Sequence, residues 1–169
     1  AGLQGSPASV GSWTNQASSW DTTQQPDGDY DLRVVTTDNA GNSFTSPAIT
    51  VTVDNTDPSL SVVAPNPVNL ATADPATVSA IASDAGSGIA NVRFDQCAED
   101  SPACVSDSWV LLGVDTGAPY EASWPIPSDG PRLLRVRATD NAGRQTTELV
   151  LVTIDRIQPA GSLTAPAAG

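Results

Sequence analysis

Asp129-Gly-Pro-Arg-Leu-Leu-Arg-Val-Arg-Ala-Thr-Asp-Asn-Ala-Gly-Arg144 is the stretch that decides the fold. Leu134, Val136 and Ala138 alternate with Arg135, Arg137 and Thr139, the period of a strand with one face buried. Asp-Asn-Ala-Gly then breaks the alternation. Its Gly supplies the positive φ that a tight hairpin needs, and its Asp can hydrogen-bond the turn backbone. Beyond the turn, Thr146–Ile154 alternates again, with Val150, Val152 and Ile154 on one face. The stretch therefore predicts a strand, a turn and a second strand.

The same pattern occurs earlier in the chain. Asp27-Gly-Asp-Tyr-Asp-Leu-Arg-Val-Val-Thr-Thr-Asp-Asn-Ala-Gly-Asn42 lies 102 positions upstream, and Val51-Thr-Val-Asp54 echoes Val152-Thr-Ile-Asp155 at 101. Ser19-Trp20 matches Ser123-Trp124, Ser6–Val10 matches Ser101–Val105, and Ser61–Pro65 matches Ser162–Pro166. These echoes predict that 1–58 is the C-terminal part of one repeat, 59–159 a complete repeat and 160–169 the first strand of a third. A period near 100 residues is too long for a solenoid, so each unit is expected to have its own core.

Between these landmarks the whole repeat reads as seven strands: Leu60–Ala64, Thr77–Ser83, Ala90–Asp95, Ser108–Leu112, Tyr120–Trp124, Arg132–Thr139 and Thr146–Ile154. Val78, Ala80 and Ala82 share one face, as do Val92 and Phe94. Seven short strands without a helical period predict an all-β fold of tandem Greek-key β-sandwich modules.

Composition agrees and excludes much else. Of 19 acidic residues 16 are Asp, a turn former, and all 7 basic residues are Arg. The absence of His and Lys removes His-based catalytic relays, His-bearing zinc sites and lysine Schiff bases. A net charge of −12 repels phosphate backbones and argues against nucleic-acid partners. No apolar run reaches the length of a membrane span. The absence of Met predicts an internal piece or a processed product. Cys97 and Cys104 enclose a short Pro-containing loop. A local disulfide is the reading for a chain with a secreted composition, and a reduced pair is the alternative.

Leu112-Gly-Val-Asp-Thr-Gly-Ala-Pro-Tyr-Glu-Ala-Ser-Trp124, then Asp129-Gly130 and Leu134–Gly143, resemble the bacterial Ig-like domains found in tandem in large secreted and surface proteins. Trp20–Thr23 with Asp27–Arg33 fits the same pattern, and Val53-Asp-Asn-Thr-Asp-Pro58 resembles the junction between such modules. The resemblance implies an immunoglobulin-like fold and roles as spacers, stalks, adhesin shafts or accessory domains. One departure is Arg132, which stands where the first copy has Tyr30.

Three kinds of residue are candidate sites. Trp13 and Trp109, like Trp20 and Trp124, occupy matching places in the two copies, which suits framework packing better than a sugar-stacking platform. Asp38, Asp54, Asp57, Asp84, Asp140 and Asp155 gather at hairpins and linkers and are candidate calcium ligands, with turn chemistry as the alternative. Paired carboxylates among 19 acids carry no catalytic weight, so no enzyme activity and no other cofactor is expected.

The sequence thus predicts a non-catalytic extracellular spacer or stalk segment, adhesin-like, secreted or on the cell surface, whose partners are neighbouring modules of the same chain. Alternatives are a module binding a glycan or host ligand, and a fibre subunit assembling with other copies by strand complementation. The second alternative rests on the missing first strands of copy one.

Overall fold

The computed structural model describes residues 20–162. Ser6–Val10 of the repeat match, Trp13 and most of the expected third-repeat strand lie outside them. Chain contacts divide the protein into two compact units. One runs through Thr56 and takes in Ala85–Ser87; the other comprises Asp57–Asp84 and Gly88 onward.

In the first unit, β1 (Gly28–Leu32) pairs antiparallel with β4 (Ile49–Val53), and β2 (Val35–Thr37) with β3 (Ser43–Thr45). The two ladders are one hairpin interrupted at Pro47, which has no N–H to give a ladder and sits where copy one carries its extra residue. Ser46 bridges the gap: its N–H donates to the Val34 carbonyl and its Oγ accepts from the Val34 N–H. Trp20 packs edge-on against Tyr30, with ring centroids 5.2 Å apart, and the Tyr30 hydroxyl donates to the Pro26 carbonyl.

The second unit is a two-sheet sandwich. β5 (Ser59–Val63), β6 (Ala76–Ser83) and β9 (Tyr120–Trp124) form one sheet in that order. β7 (Ile89–Cys97), β8 (Trp109–Asp115), β10 (Gly130–Asp140) and β11 (Gln145–Ile154) form the other, ordered β11-β10-β7-β8. The chain changes sheet after β6, β8 and β9, so the unit is a Greek-key sandwich. All seven expected strands are present. β7 continues two residues past Asp95, because a register shift between Phe94 and Asp95 lets its pairing with β8 go on.

Alternation decides what faces the core. Val78 and Ala80 from β6, Val92 and Phe94 from β7, Trp124 from β9, Leu134, Val136 and Ala138 from β10, and Val152 and Ile154 from β11 form one buried cluster. The Trp124 indole N–H donates to Gln96 Oε1 at 2.7 Å, which satisfies the one polar atom of a fully buried ring. The β11 edge does not stay open. Asn66 and Val68 hydrogen-bond with Leu151, Thr153 and Asp155, and Val68 forms a parallel bridge to Ile154. That covers backbone groups which would otherwise template pairing with another chain.

Arg132 departs from its Tyr30 counterpart and still points inward. It is buried at the end of β10, where its guanidinium pairs with Asp100 of the Cys97–Cys104 loop, while Nε has no partner among the described residues. Burial lowers its pKa. An arginine is tolerated here because the loop brings a carboxylate to it.

Truncating Phe94 to Ala removes a ring with no exposed surface and is expected to cost about 3–5 kcal/mol in denaturant unfolding. The same truncation at Ile81, 72 % exposed on β6, is expected to stay within about 0.5 kcal/mol. Equal losses would contradict the assigned core face.

Candidate functional site

The two Asp-Asn-Ala-Gly hairpins have the same backbone. In the first, the Asp38 N–H donates to the Asn42 carbonyl and the Gly41 N–H to the Asp38 carbonyl. In the second, Asp140 bonds Arg144 and Gly143 bonds Asp140 in the same way. Gly41 and Gly143 both sit at φ +89°, which a side chain would strain.

Their carboxylates are answered differently. Asp38 is exposed; Oδ1 accepts the N–H groups of Ala40 and Asn42, and Oδ2 accepts the Asn42 side-chain amide at 2.8 Å. The Asn42 bonds hold its pKa below the ordinary carboxylate value. Asp38 is therefore a turn residue whose oxygens are engaged within its own hairpin. At Asp140 the residue matching Asn42 is Arg144, whose guanidinium reaches Asp57 at 2.9 Å. Asp140 Oδ1 accepts the Arg144 N–H, but Oδ2 is buried without a hydrogen-bond partner among the described residues, and only 1 % of the residue is exposed.

Asp84, at the end of β6, lies beside it. A carboxylate oxygen of Asp84 is within 4.8 Å of one of Asp140. Asp84 Oδ1 accepts the Gly88 N–H at 2.8 Å, and the Gly88 carbonyl accepts both the backbone and side-chain N–H of Asn141. Gly88 at φ +77° thus stitches the β6–β7 turn to the β10–β11 hairpin and holds the two carboxylates together. These two residues are the ones suited to hold a hard cation in this unit.

Two further candidates in this unit are engaged elsewhere. Asp57 is taken by Arg144, and exposed Asp155 caps its own turn by accepting the Ile157 N–H. Asp54 belongs to the first unit, where its carboxylate accepts the N–H of Thr56 and of Ser87. A Cβ on Gly86 would come within 2.8 Å of all three carboxylate atoms, so that turn closes on Asp54 only because residue 86 has no side chain.

Cys97 and Cys104 are joined in a disulfide. With Leu133 and Trp109 they form a small second cluster apart from the main core, bearing on the four-stranded sheet. Beside it lies the site that alternation alone did not reveal. Asp95 is fully buried, with both oxygens bound by Arg93 Nε at 3.0 Å and Oδ2 by Arg135 Nη2 at 3.1 Å. The Arg135 guanidinium lies 4.2 Å from the centroid of the Trp109 ring, a cation–π contact. The Trp109 indole N–H donates to Asp107. Asp95 raises the Arg93 pKa. The sequence carried part of the signal, since Arg93 and Asp95 share a strand face; that Arg135 stands opposite Asp95 comes from the register. Trp109 and Trp124 are both framework residues here, one on an outer cluster and one in the core.

The family comparison agrees with this architecture. Residues 58–147 match the family model described as "Bacterial Ig domain". No curated protein matches the chain. Among solved structures, the fibronectin(III)-like modules of Clostridium thermocellum CbhA align with 82 % of this chain and 69 % of theirs, at 24 % identity and a TM-score of 0.48. The chain belongs to the bacterial Ig domain family. Domains of this family are generally non-catalytic and typically extracellular or on the cell surface. Among the described residues no helix is long and apolar enough to cross a membrane.

The hairpin contacts predict a pH response. The depressed Asp38 pKa means that the turn gains stability above the ordinary carboxylate value of 3.8 and loses it as pH falls through the lower folded value. A carboxyl titration by NMR should place Asp38 below 3.8, and Asn42→Ala should move it back up. An Asp38 titration indifferent to Asn42 would contradict the assignment.

Proposed function

We propose that this chain is a non-catalytic extracellular spacer or stalk segment of a larger repeat-containing bacterial surface or secreted protein, with neighbouring Ig-like modules as its partners. The observation that carries this reading is where the chain enters and leaves the complete sandwich. It enters at Pro58, whose carbonyl accepts the Thr146 hydroxyl beside the β10–β11 turn. It leaves after Ile154, which faces Gly130 at the other end of the ladder. From Thr146 to Ile154 the strand spans about 27 Å at a rise of ~3.4 Å per residue. A module with opposite ends for entry and exit adds its own length to an array. The self-contained core supports the same role. The net charge of −12 keeps such an array soluble.

One observation favours a second reading, assembly by strand complementation. In the first unit Val34, Val35, Phe44 and Ile49 are each about 60 % or more exposed, an apolar surface that an added strand would cover.

Single-molecule pulling separates these roles. A spacer predicts a discrete unfolding event for the second unit that releases about 30 nm of contour, given roughly 3.5 Å per extended residue. It also predicts no saturable binding on a glycan array at neutral pH. Binding that Trp109→Ala abolishes would instead make this a ligand-binding module. Concentration-dependent oligomers in light scattering would favour complementation.

A further inference from the structure

We propose that the second unit binds a calcium-class divalent cation between Asp84 and Asp140. This goes beyond the spacer role and does not depend on it. Two carboxylates within 4.8 Å are not in themselves a site, because turn chemistry brings acids together. The distinguishing feature is Asp140 Oδ2. Its residue is 99 % buried, the oxygen has no hydrogen-bond donor among the described residues, and the Asp84 carboxylate lies within 4.8 Å of an oxygen of the same carboxylate group. A buried carboxylate oxygen facing a like charge is costly unless a proton or a cation neutralises it.

The repeat itself shows what is missing. The first hairpin has the same backbone, and there the corresponding oxygen of Asp38 receives the Asn42 side-chain amide. In the second hairpin Arg144 replaces Asn42 and pairs with Asp57, so that donor is gone while the carboxylate remains. Nor is the site loose. Gly88 fixes both partners, through its N–H to Asp84 and its carbonyl to Asn141 next to Asp140.

The donor chemistry selects the ion. The chain has no His, both Cys are in the disulfide, and the facing groups are carboxylate oxygens, which suit a hard cation and not zinc or copper. Two carboxylates with backbone carbonyls and water complete the ~6–8 oxygens of calcium, in the affinity range of extracellular modules at ~10⁻⁴–10⁻³ M. The cation would brace the β6–β7 turn against the β10–β11 hairpin, at the end where the chain enters the module.

The test is calorimetric titration of CaCl2 into the chelator-stripped 169-residue chain, paired with thermal unfolding in 5 mM CaCl2 or EDTA. The expected result is one saturable site and a midpoint raised by about 5–10 °C in calcium. Asp140→Asn and Asp84→Asn should each weaken binding at least 10-fold and erase the calcium-dependent shift. Asp155→Asn, in a separate exposed turn, should leave both unchanged. Absence of saturable binding, or binding that survives Asp140→Asn, overturns the proposal. If Asp140→Asn does not fold, the wild-type shift between CaCl2 and EDTA decides together with Asp84→Asn, and no shift overturns the proposal.

Discussion

The β10–β11 ladder is the constraint on which the complete module depends. Ten register pairs join Gly130–Thr139 to Gln145–Ile154, and the inward side chains of both strands line the core. It places the two ends of the module. The hairpin at one end holds Asp140, and the far end releases the chain toward the next segment. Its central strand pairs with β7 and so sets the Arg135–Asp95 contact. Once the ladder is fixed, β7 and β8 extend the same sheet, and Phe94 and Trp124 fill the space before the second sheet.

Copy one shows what happens when the same sequence pattern carries a break. Pro47 and one additional residue split its hairpin into two short ladders, β1–β4 and β2–β3, while the turn between β2 and β3 stays the same as in copy two. Turn chemistry is therefore local and robust, whereas ladder length is sensitive to a single residue without an N–H. Repeats of this kind can diverge in strand continuity and keep their corners.

Most of the fold was legible because it rests on local rules. Alternation at Leu134, Val136 and Ala138 gave the buried face, and Gly143 gave the turn. The ionic contacts were less legible. Asp95 reads as the end of a strand, yet the shift at Phe94/Asp95 carries the strand onward and buries both residues. Arg132 reads as a misfit beside Tyr30, and only the disulfide-closed loop, which brings Asp100 over it, explains an inward arginine. Of six candidate aspartates the sequence could not separate turn residues from a carboxylate pair. That distinction depends on which donor each oxygen meets, and for Asp140 the answer lies in the replacement of Asn42 by Arg144.

A module that serves as a spacer must hold its two ends apart. Double electron–electron resonance between spin labels at Ser59→Cys and Ile157→Cys measures this directly in the folded 169-residue chain. The opposite-end geometry predicts one narrow distance population near 30 Å, the length of the ladder plus its flanks. A population below about 20 Å, or a broad spread of distances in a chain that retains its β-structure, would contradict it.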